Sequence, residues 1–307
     1  MRPARLLTLL ALVLALLAPL PGRAAELLDP TPRLAIMSAF GPEWTALRAA
    51  MTDPVDHAVN GTAFVTGRLE GRDVVLLLTG ISMVNAAMTT QLTLDRFTVK
   101  AVLFSGIAGG VDPGLAIGDV VVPEQWGQYL EAVLARSTPE GWRTPAFLGP
   151  APFANYGMIF PWTVEVARTP GAAPEQHFWF PVDPGLLATA RSATAGLDLR
   201  QCVAANACLE HPPQVVVGGN GVSGPAFVDN AEFRAYAFAT FQARVLDMES
   251  AAVAQVAFAN QVPFIVFRSL SDLAGGGEGE NQMTTFFQLA ADNAAAVLRA
   301  FLRALPA

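Results

Sequence analysis

The chain has 307 residues and a formal net charge of −7, with 52% hydrophobic and 15% charged residues. That composition supplies core for one large α/β domain or two ordinary ones. It argues against a nucleic-acid partner, because an acidic surface repels phosphates and no Lys/Arg cluster follows the N-terminus, where Lys100 is the only lysine.

Arg2 and Arg5 precede an apolar run, Leu6 to Leu20, which ends in Pro19 and Pro21 and leads to Gly22-Arg23-Ala24-Ala25. A basic head, a short apolar body and a small-residue exit form a secretory signal peptide, cleaved after Ala24 or Ala25. A membrane anchor would need ~18–20 apolar residues, more than this run offers. Residues 1–25 are therefore expected to be a leader and 26–307 a single domain. The protein is expected to be periplasmic or secreted, with no membrane contact after cleavage.

Arg33 to Phe40 predicts a buried strand, and Gly41-Pro42 turns into a helix over about 43–51. Thr62 to Leu69 and Asp73 to Thr79 flank Gly71-Arg72 as a hairpin, and Val84 to Arg96 has helical spacing. Val99 to Ser105 predicts a strand closed by a glycine-rich turn, Gly106 to Gly110, and Gly118 to Pro123 a further strand. The stretch 127–184 breaks the rhythm with Pro150, Pro152, Phe153, Tyr156, Trp162 and Phe178-Trp179-Phe180-Pro181. It reads as an insertion folded over the core as a lid or an interface, with plain packing as the bland alternative.

Regular structure resumes with a helix over about 184–196, a strand at Gln214 to Val217 and a loop from Gly218 to Phe227. A helix over 230–239, a short strand Val245 to Met248, a helix Glu249 to Asn260, a buried strand Val262 to Ser269 and a final helix Thr284 to Leu305 complete the chain. Strands alternating with helices predict an α/β sheet covered by helices, with ligands at the carboxyl ends of strands.

Cys202 and Cys208 lie in one segment. In an oxidising compartment they are expected to pair, two free thiols being the alternative. His57, His177 and His211 are not spaced as metal ligands, so no metal is expected.

Three carboxylates stand where strands end: Glu43, Glu249 and Asp272. Spacing alone leaves Glu43 and Glu249 open to a bland reading as helix-start charges. Four blocks sharpen this: Ile36 to Glu43; Ser105 to Gly110 with Gly118 to Val122; Leu246-Asp247-Met248-Glu249-Ser250-Ala251-Ala252; and Phe267 to Asp272. Taken in order, they resemble the nucleoside phosphorylase/nucleosidase superfamily, and within it the methylthioadenosine/S-adenosylhomocysteine nucleosidases.

The resemblance implies a three-layer fold with a central mixed, twisted sheet flanked by helices. It implies no cofactor, a small nucleoside as ligand and a homodimer. Cleaving a purine N-glycosidic bond leaves an anionic base and an oxocarbenium-like sugar, so an acid, a ribose clamp and a poised nucleophile are needed. By resemblance Asp272 is the acid at N7, which requires a raised pKa. Glu249 accepts from the ribose hydroxyls, Met248 lies on the sugar, Phe227 stacks on the base and the Val228 backbone meets its edge. Ile107, Ala108 and Gly109 line the site, and Phe40, Met248 and Met283 offer an apolar wall for a 5′-alkylthio group.

Glu43 matches the carboxylate that activates water, with Arg268 beside both. Phosphorylases gather arginines there instead, and a carboxylate would repel phosphate. Ile107 replaces a small hydroxyl residue of the family, and Pro225 an acidic one. The leading expectation is a nucleosidase acting on an adenosine-like nucleoside. The alternatives are a phosphate-dependent phosphorylase and a non-catalytic nucleoside-binding protein.

Overall fold

The computed structural model describes residues 26–204, 207–277 and 279–306. The leader assigned to residues 1–25 lies outside them. A mixed sheet of 12 strands forms the middle of the fold. Its strands are β1 (Asp29–Ser38), β2 (Thr52–Val59), β3 (Thr62–Leu69), β4 (Arg72–Leu78), β5 (Phe97–Gly110), β6 (Val120–Val122), β7 (Gln125–Gln128), β8 (Trp179–Pro181), β9 (Val215–Val217), β10 (Asn220–Ser223), β11 (Ala243–Asp247) and β12 (Phe264–Asp272). The helices are α1 (Gly41–Ala49), α2 (Met83–Arg96), α3 (Pro184–Ala193), α4 (Ala231–Phe241), α5 (Ser250–Ala259) and α6 (Met283–Ala304).

The main path runs β8-β7-β10-β11-β5-β1-β4-β3-β2, with β12 bridging β5 and β6, and β6 pairing β9. β4, β1, β5 and β12 are parallel neighbours, while β2–β3, β3–β4 and β11–β5 are antiparallel. The central strands are apolar without alternation because both faces are covered. Ala35, Ile36 and Met37 of β1, Val102 to Phe104 of β5 and all nine residues of β12 are buried. The longest helix, α6, lays its apolar stripe on β12 and β5.

Two sequence readings change, one strand enters that the sequence pattern does not predict, and the insertion narrows. Gly106 to Gly110 is no turn: it extends β5, and none of Gly106, Gly109 and Gly110 has a positive φ. Thr52–Val59, too polar and proline-bearing to read as a strand, pairs β3 as the outermost strand, where such residues are tolerated. The segment 218–227 is not all loop, since Asn220–Ser223 forms β10. The insertion also narrows, because both its ends belong to the main sheet: β7 contains Gly127, and β8 pairs with β7.

Between those ends the chain makes small hairpins, and its aromatics pack inward on α4. Phe153 lies 4.2 Å from Phe178 and 5.3 Å from Phe241, ring to ring, and Tyr156 lies 5.1 Å from Phe233. Aromatic pairs at such spacings add stability beyond their burial. Phe153, Phe178, Phe233 and Phe241 join a second apolar cluster with Tyr129, Leu246 and Val228. This stretch braces α4 and the loop before it. Its apolar side chains Leu134, Trp142, Phe147 and Met158 remain exposed.

Candidate active site

The site lies where the sheet forks. One edge of β5 carries β12 from Val102 to Gly109. The other edge carries β1 as far as Phe104 and then β11 at Gly109 and Gly110. Ser105 to Ala108 fall in the gap between these partners, so their backbone groups on that edge are free for other bonds. Such reversals of strand order are where α/β sheets hold ligands.

Glu43 fills the gap. It stands in the first turn of α1, and its Oε2 accepts from the Ala39 N–H at 2.6 Å and the Phe40 N–H at 3.3 Å. Its Oε1 accepts from the Ile107 N–H at 2.9 Å. Glu43 is thus both the helix-start residue of the bland reading and a strut across the fork. Burial pushes its carboxyl up, against the pull of Arg268 and the three N–H donors.

Arg268 lies beneath, fully buried in the middle of β12, with its guanidinium 4.1 Å from the centre of the Phe104 ring. Its Nε meets Asp247 Oδ2 at 2.7 Å, and its Nη2 donates to Glu249 Oε2 at 3.3 Å. Nη1 has no hydrogen-bond partner among the described residues and faces Glu43 Oε1 at 3.8 Å. A buried donor and acceptor at that spacing suit a bridging polar oxygen.

The glycine at 106 makes this possible. A Cβ there would overlap Arg268 Nη1 and Glu43 Oε1 and stand 2.8 Å from Glu43 Cδ. The glycine run therefore clears one face of a strand so that charged side chains can meet across it.

Asp247, at the end of β11, was not assigned a role from the sequence. It is buried, accepts from Ser223 Oγ and Ser250 Oγ, and takes the N–H groups of Glu249 and Ser250 at 3.2 and 3.1 Å. It thereby starts α5 and holds Arg268. Its place two residues before Glu249 at a strand-to-helix junction was the available signal.

Glu249 occupies the cap position of α5, yet its side chain caps nothing. It turns instead to the Ser82 N–H at 2.8 Å and to Arg268. The helix-start reading thus fails for Glu249. One guanidinium faces three carboxylates here, and buried like charges oppose one another's ionisation. Burial foremost, with Asp247 and Glu43 adding, pushes Glu249 up to about 7 despite Arg268.

Asp272 ends β12. Its Oδ1 accepts from the Ala274 N–H at 2.8 Å and its Oδ2 from Ser271 Oγ at 2.9 Å. Burial raises its pKa, and those hydrogen bonds only partly offset the rise. Opposite Gly109 a Cβ would stand 3.2 Å from Asp272 Oδ1, so this glycine too keeps the carboxyl approachable.

A cavity of about 170 Å³ gathers these groups. Glu43, Ile107, Ala108, Gly109, Phe227, Val228, Met248, Glu249 and Asp272 all line it. Arg268 does not: it lies behind, bonded to Asp247 and Glu249. Phe40, Ile81 and Met283 close the apolar end, and no Lys, Arg or His is among the lining residues. Phe227 is 57% exposed and stands at the rim. Pro225 is exposed and outside the lining. Cys202 and Cys208 are joined in a disulfide that closes the hairpin of Cys202–Ala204 and Ala207–Cys208.

Comparison with known proteins places this geometry. A family model, "Phosphorylase superfamily", matches residues 33–303. A 5′-methylthioadenosine/S-adenosylhomocysteine nucleosidase of Geobacillus thermodenitrificans is 31% identical, over 88% of this chain and 96% of its own. Bark storage protein B of Populus deltoides is 28% identical, over 83% of this chain and 82% of its own. The structure of a nucleosidase of the same name from Colwellia psychrerythraea 34H, in complex with adenine, superposes with a TM-score of 0.68 at 27% identity, covering 90% of this chain and 96% of that one. With its strand-end carboxylates, forked mixed sheet and family match over most of its length, the chain belongs to the phosphorylase superfamily.

Proposed function

We propose that this protein is a nucleosidase that hydrolyses the N-glycosidic bond of an adenosine-like purine nucleoside to free base and sugar. The observation that carries this reading is the convergence of Glu43, Glu249 and Asp272 on one cavity with no cationic side chain in its lining. Phosphate would have to enter beside Glu43, whose charge repels it, and the nearest guanidinium is already engaged by carboxylates. That favours water over phosphate as nucleophile.

In this reading Asp272, whose carboxyl burial pushes up, gives its proton to N7 as the C1′–N9 bond breaks. Water held between Glu43 Oε1 and Arg268 Nη1 adds to C1′ and loses its proton to Glu43. Glu249 accepts from the ribose hydroxyls, Met248 lies under the sugar and Phe227 covers the base. The apolar end at Phe40, Ile81 and Met283 suits a 5′-alkylthio group, which makes 5′-methylthioadenosine and S-adenosylhomocysteine candidate substrates alongside adenosine. Ile107 offers only its backbone N–H to Glu43, so water positioning rests on Glu43 and Arg268.

The same reading includes export and a homodimer. The form of residues 1–25 and the Cys202–Cys208 disulfide support an oxidising compartment. Ile81, Val84 and Met88 are 51%, 78% and 60% exposed and form an apolar stripe on and before α2, beside the cavity, which supports pairing with a second copy. Analytical ultracentrifugation of the mature chain tests the dimer.

The function is tested by incubating purified protein with adenosine, inosine and 5′-methylthioadenosine, with and without phosphate, and measuring base and sugar. Free base and free sugar without phosphate are the expected result. Strict dependence on phosphate would make it a phosphorylase. Tight binding with no base released would make it a nucleoside-binding protein without turnover.

A further inference from the structure

Asp272 belongs to the walls of two cavities. Beside the inner space of about 170 Å³ lies a second of about 430 Å³. Sites for small organic ligands run to roughly 300–1,000 Å³, so the second space adds ligand-sized room next to the first. The chain passes from one cavity to the other at two places. Val228 lines the inner space and Asp229 the outer; Asp272 lines both and Leu273 the outer.

On the proposed function those two places flank one edge of the base. In adenine, N7 and the 6-amino group share an edge. A base with N7 on Asp272 and its rim against Val228 therefore turns its 6-position toward the boundary between the cavities. The Asn230 N–H donates to the Ala274 carbonyl at 3.1 Å and fixes the spacing of the two loops. A second link joins side chains: Asn281 Nδ2 donates to Asp229 Oδ1 at 3.0 Å, and Asn281 also reaches Asp272. This link lies near the surface, at the end of a glycine-rich loop, and the Asn281 Oδ1 also accepts from the Met283 N–H at 2.9 Å, a bond that is exchanged for water when the side chain turns outward.

Beyond it the wall turns apolar, with Leu115, Ala116, Leu209, Leu273 and Phe286. Leu209 is carried by the hairpin that the disulfide closes. Glu210 and Glu280 are exposed lining residues and, with Asp229, set a negative rim that disfavours an anionic group.

We propose that the outer cavity is a subsite for a neutral substituent on the 6-amino group of the purine. Asn281 swings aside, Asp229 accepts the remaining N6–H, and an alkyl or arylmethyl group packs on the apolar wall. The enzyme then cleaves N6-substituted adenosines as well as adenosine. This inference rests on the nucleosidase reading.

The test compares base release from adenosine, 5′-methylthioadenosine and N6-benzyladenosine by the purified protein and by Ala116→Phe, which narrows the outer cavity alone. N6-benzyladenosine should keep kcat/KM within about tenfold of adenosine, and Ala116→Phe should lower it at least about tenfold with adenosine within about twofold. Retained adenosine turnover also reports that the variant folds. Should Ala116→Phe fail on adenosine too, Gln282→Trp, at an exposed wall position, must give the selective loss. Cleavage of the unsubstituted nucleosides with N6-benzyladenosine rejected by more than about 100-fold would overturn the subsite and leave the nucleosidase standing. No base from any nucleoside would overturn the nucleosidase, and the subsite with it.

Discussion

Asp272→Asn separates proton donation from architecture. The Ala274 N–H can still bond the amide oxygen in place of Oδ1, at the observed 2.8 Å. The new NH2 would face Ser271 Oγ, now 2.9 Å from Oδ2, and a hydroxyl can accept as readily as it donates. Ser271 Oγ keeps the Ala108 carbonyl, 3.4 Å away, as an outlet for its own proton. The substitution is close to isosteric and leaves no buried donor without a partner, so the thermal midpoint should move by no more than about 2 °C. What disappears, on the proposed mechanism, is the proton for N7. Positioned acids contribute about 10²–10⁴ in rate, equivalent to about 3–5 kcal/mol of barrier. Single-turnover release of adenine, followed by chromatography at neutral pH, should fall by that factor while the affinity for a non-hydrolysable nucleoside analogue is kept. A rate within threefold of the parent, roughly 0.7 kcal/mol, would refute the assignment of Asp272 as the acid.

Gly106→Ala should cost about 1–3 kcal/mol in chemical denaturation and abolish turnover, because the methyl group overlaps both Arg268 and Glu43. A fully active, stable variant would show that the fork has slack. Replacing Cys202 and Cys208 together by Ser opens a small loop of separation 6. Loop-closure entropy puts that loss at about 2 kcal/mol. Calorimetry should show a Tm fall of roughly 4–6 °C with adenosine turnover preserved. Glu249, pushed up to about 7, should make binding pH-dependent. Once protonated it accepts ribose hydroxyls poorly, so analogue affinity should drop as pH falls through about 7, and Glu249→Gln should flatten the profile. Stability runs the other way: the folded state holds this proton more tightly than the unfolded one. The contribution is full below the ordinary carboxyl range and is lost as pH rises through about 7, which denaturation at several pH values would reveal.

Much of this molecule was legible in one dimension because its signals are local. Buried strands declare themselves as apolar runs such as Ala35 to Met37 and Phe264 to Phe267, helices by their spacing, and the three carboxylates by standing where strands stop. What stayed illegible depends on partners far away in the chain. Gly106 to Gly110 reads as a turn because glycine usually serves the backbone. Here it serves Arg268 and Glu43, which reach it only once β12 and α1 are in place. Thr52–Val59 becomes a strand only because β3 is beside it, and the insertion's aromatics become a brace only because α4 offers a face. Asp247 is one acidic residue among many until folding sets its carboxylate 2.7 Å from a buried guanidinium. The residue types, and so the available chemistry, were written in the sequence. The tertiary structure decided which charges share one low-dielectric space, and hence which of them hold protons, because burial and proximity set a pKa and neither exists along an extended chain.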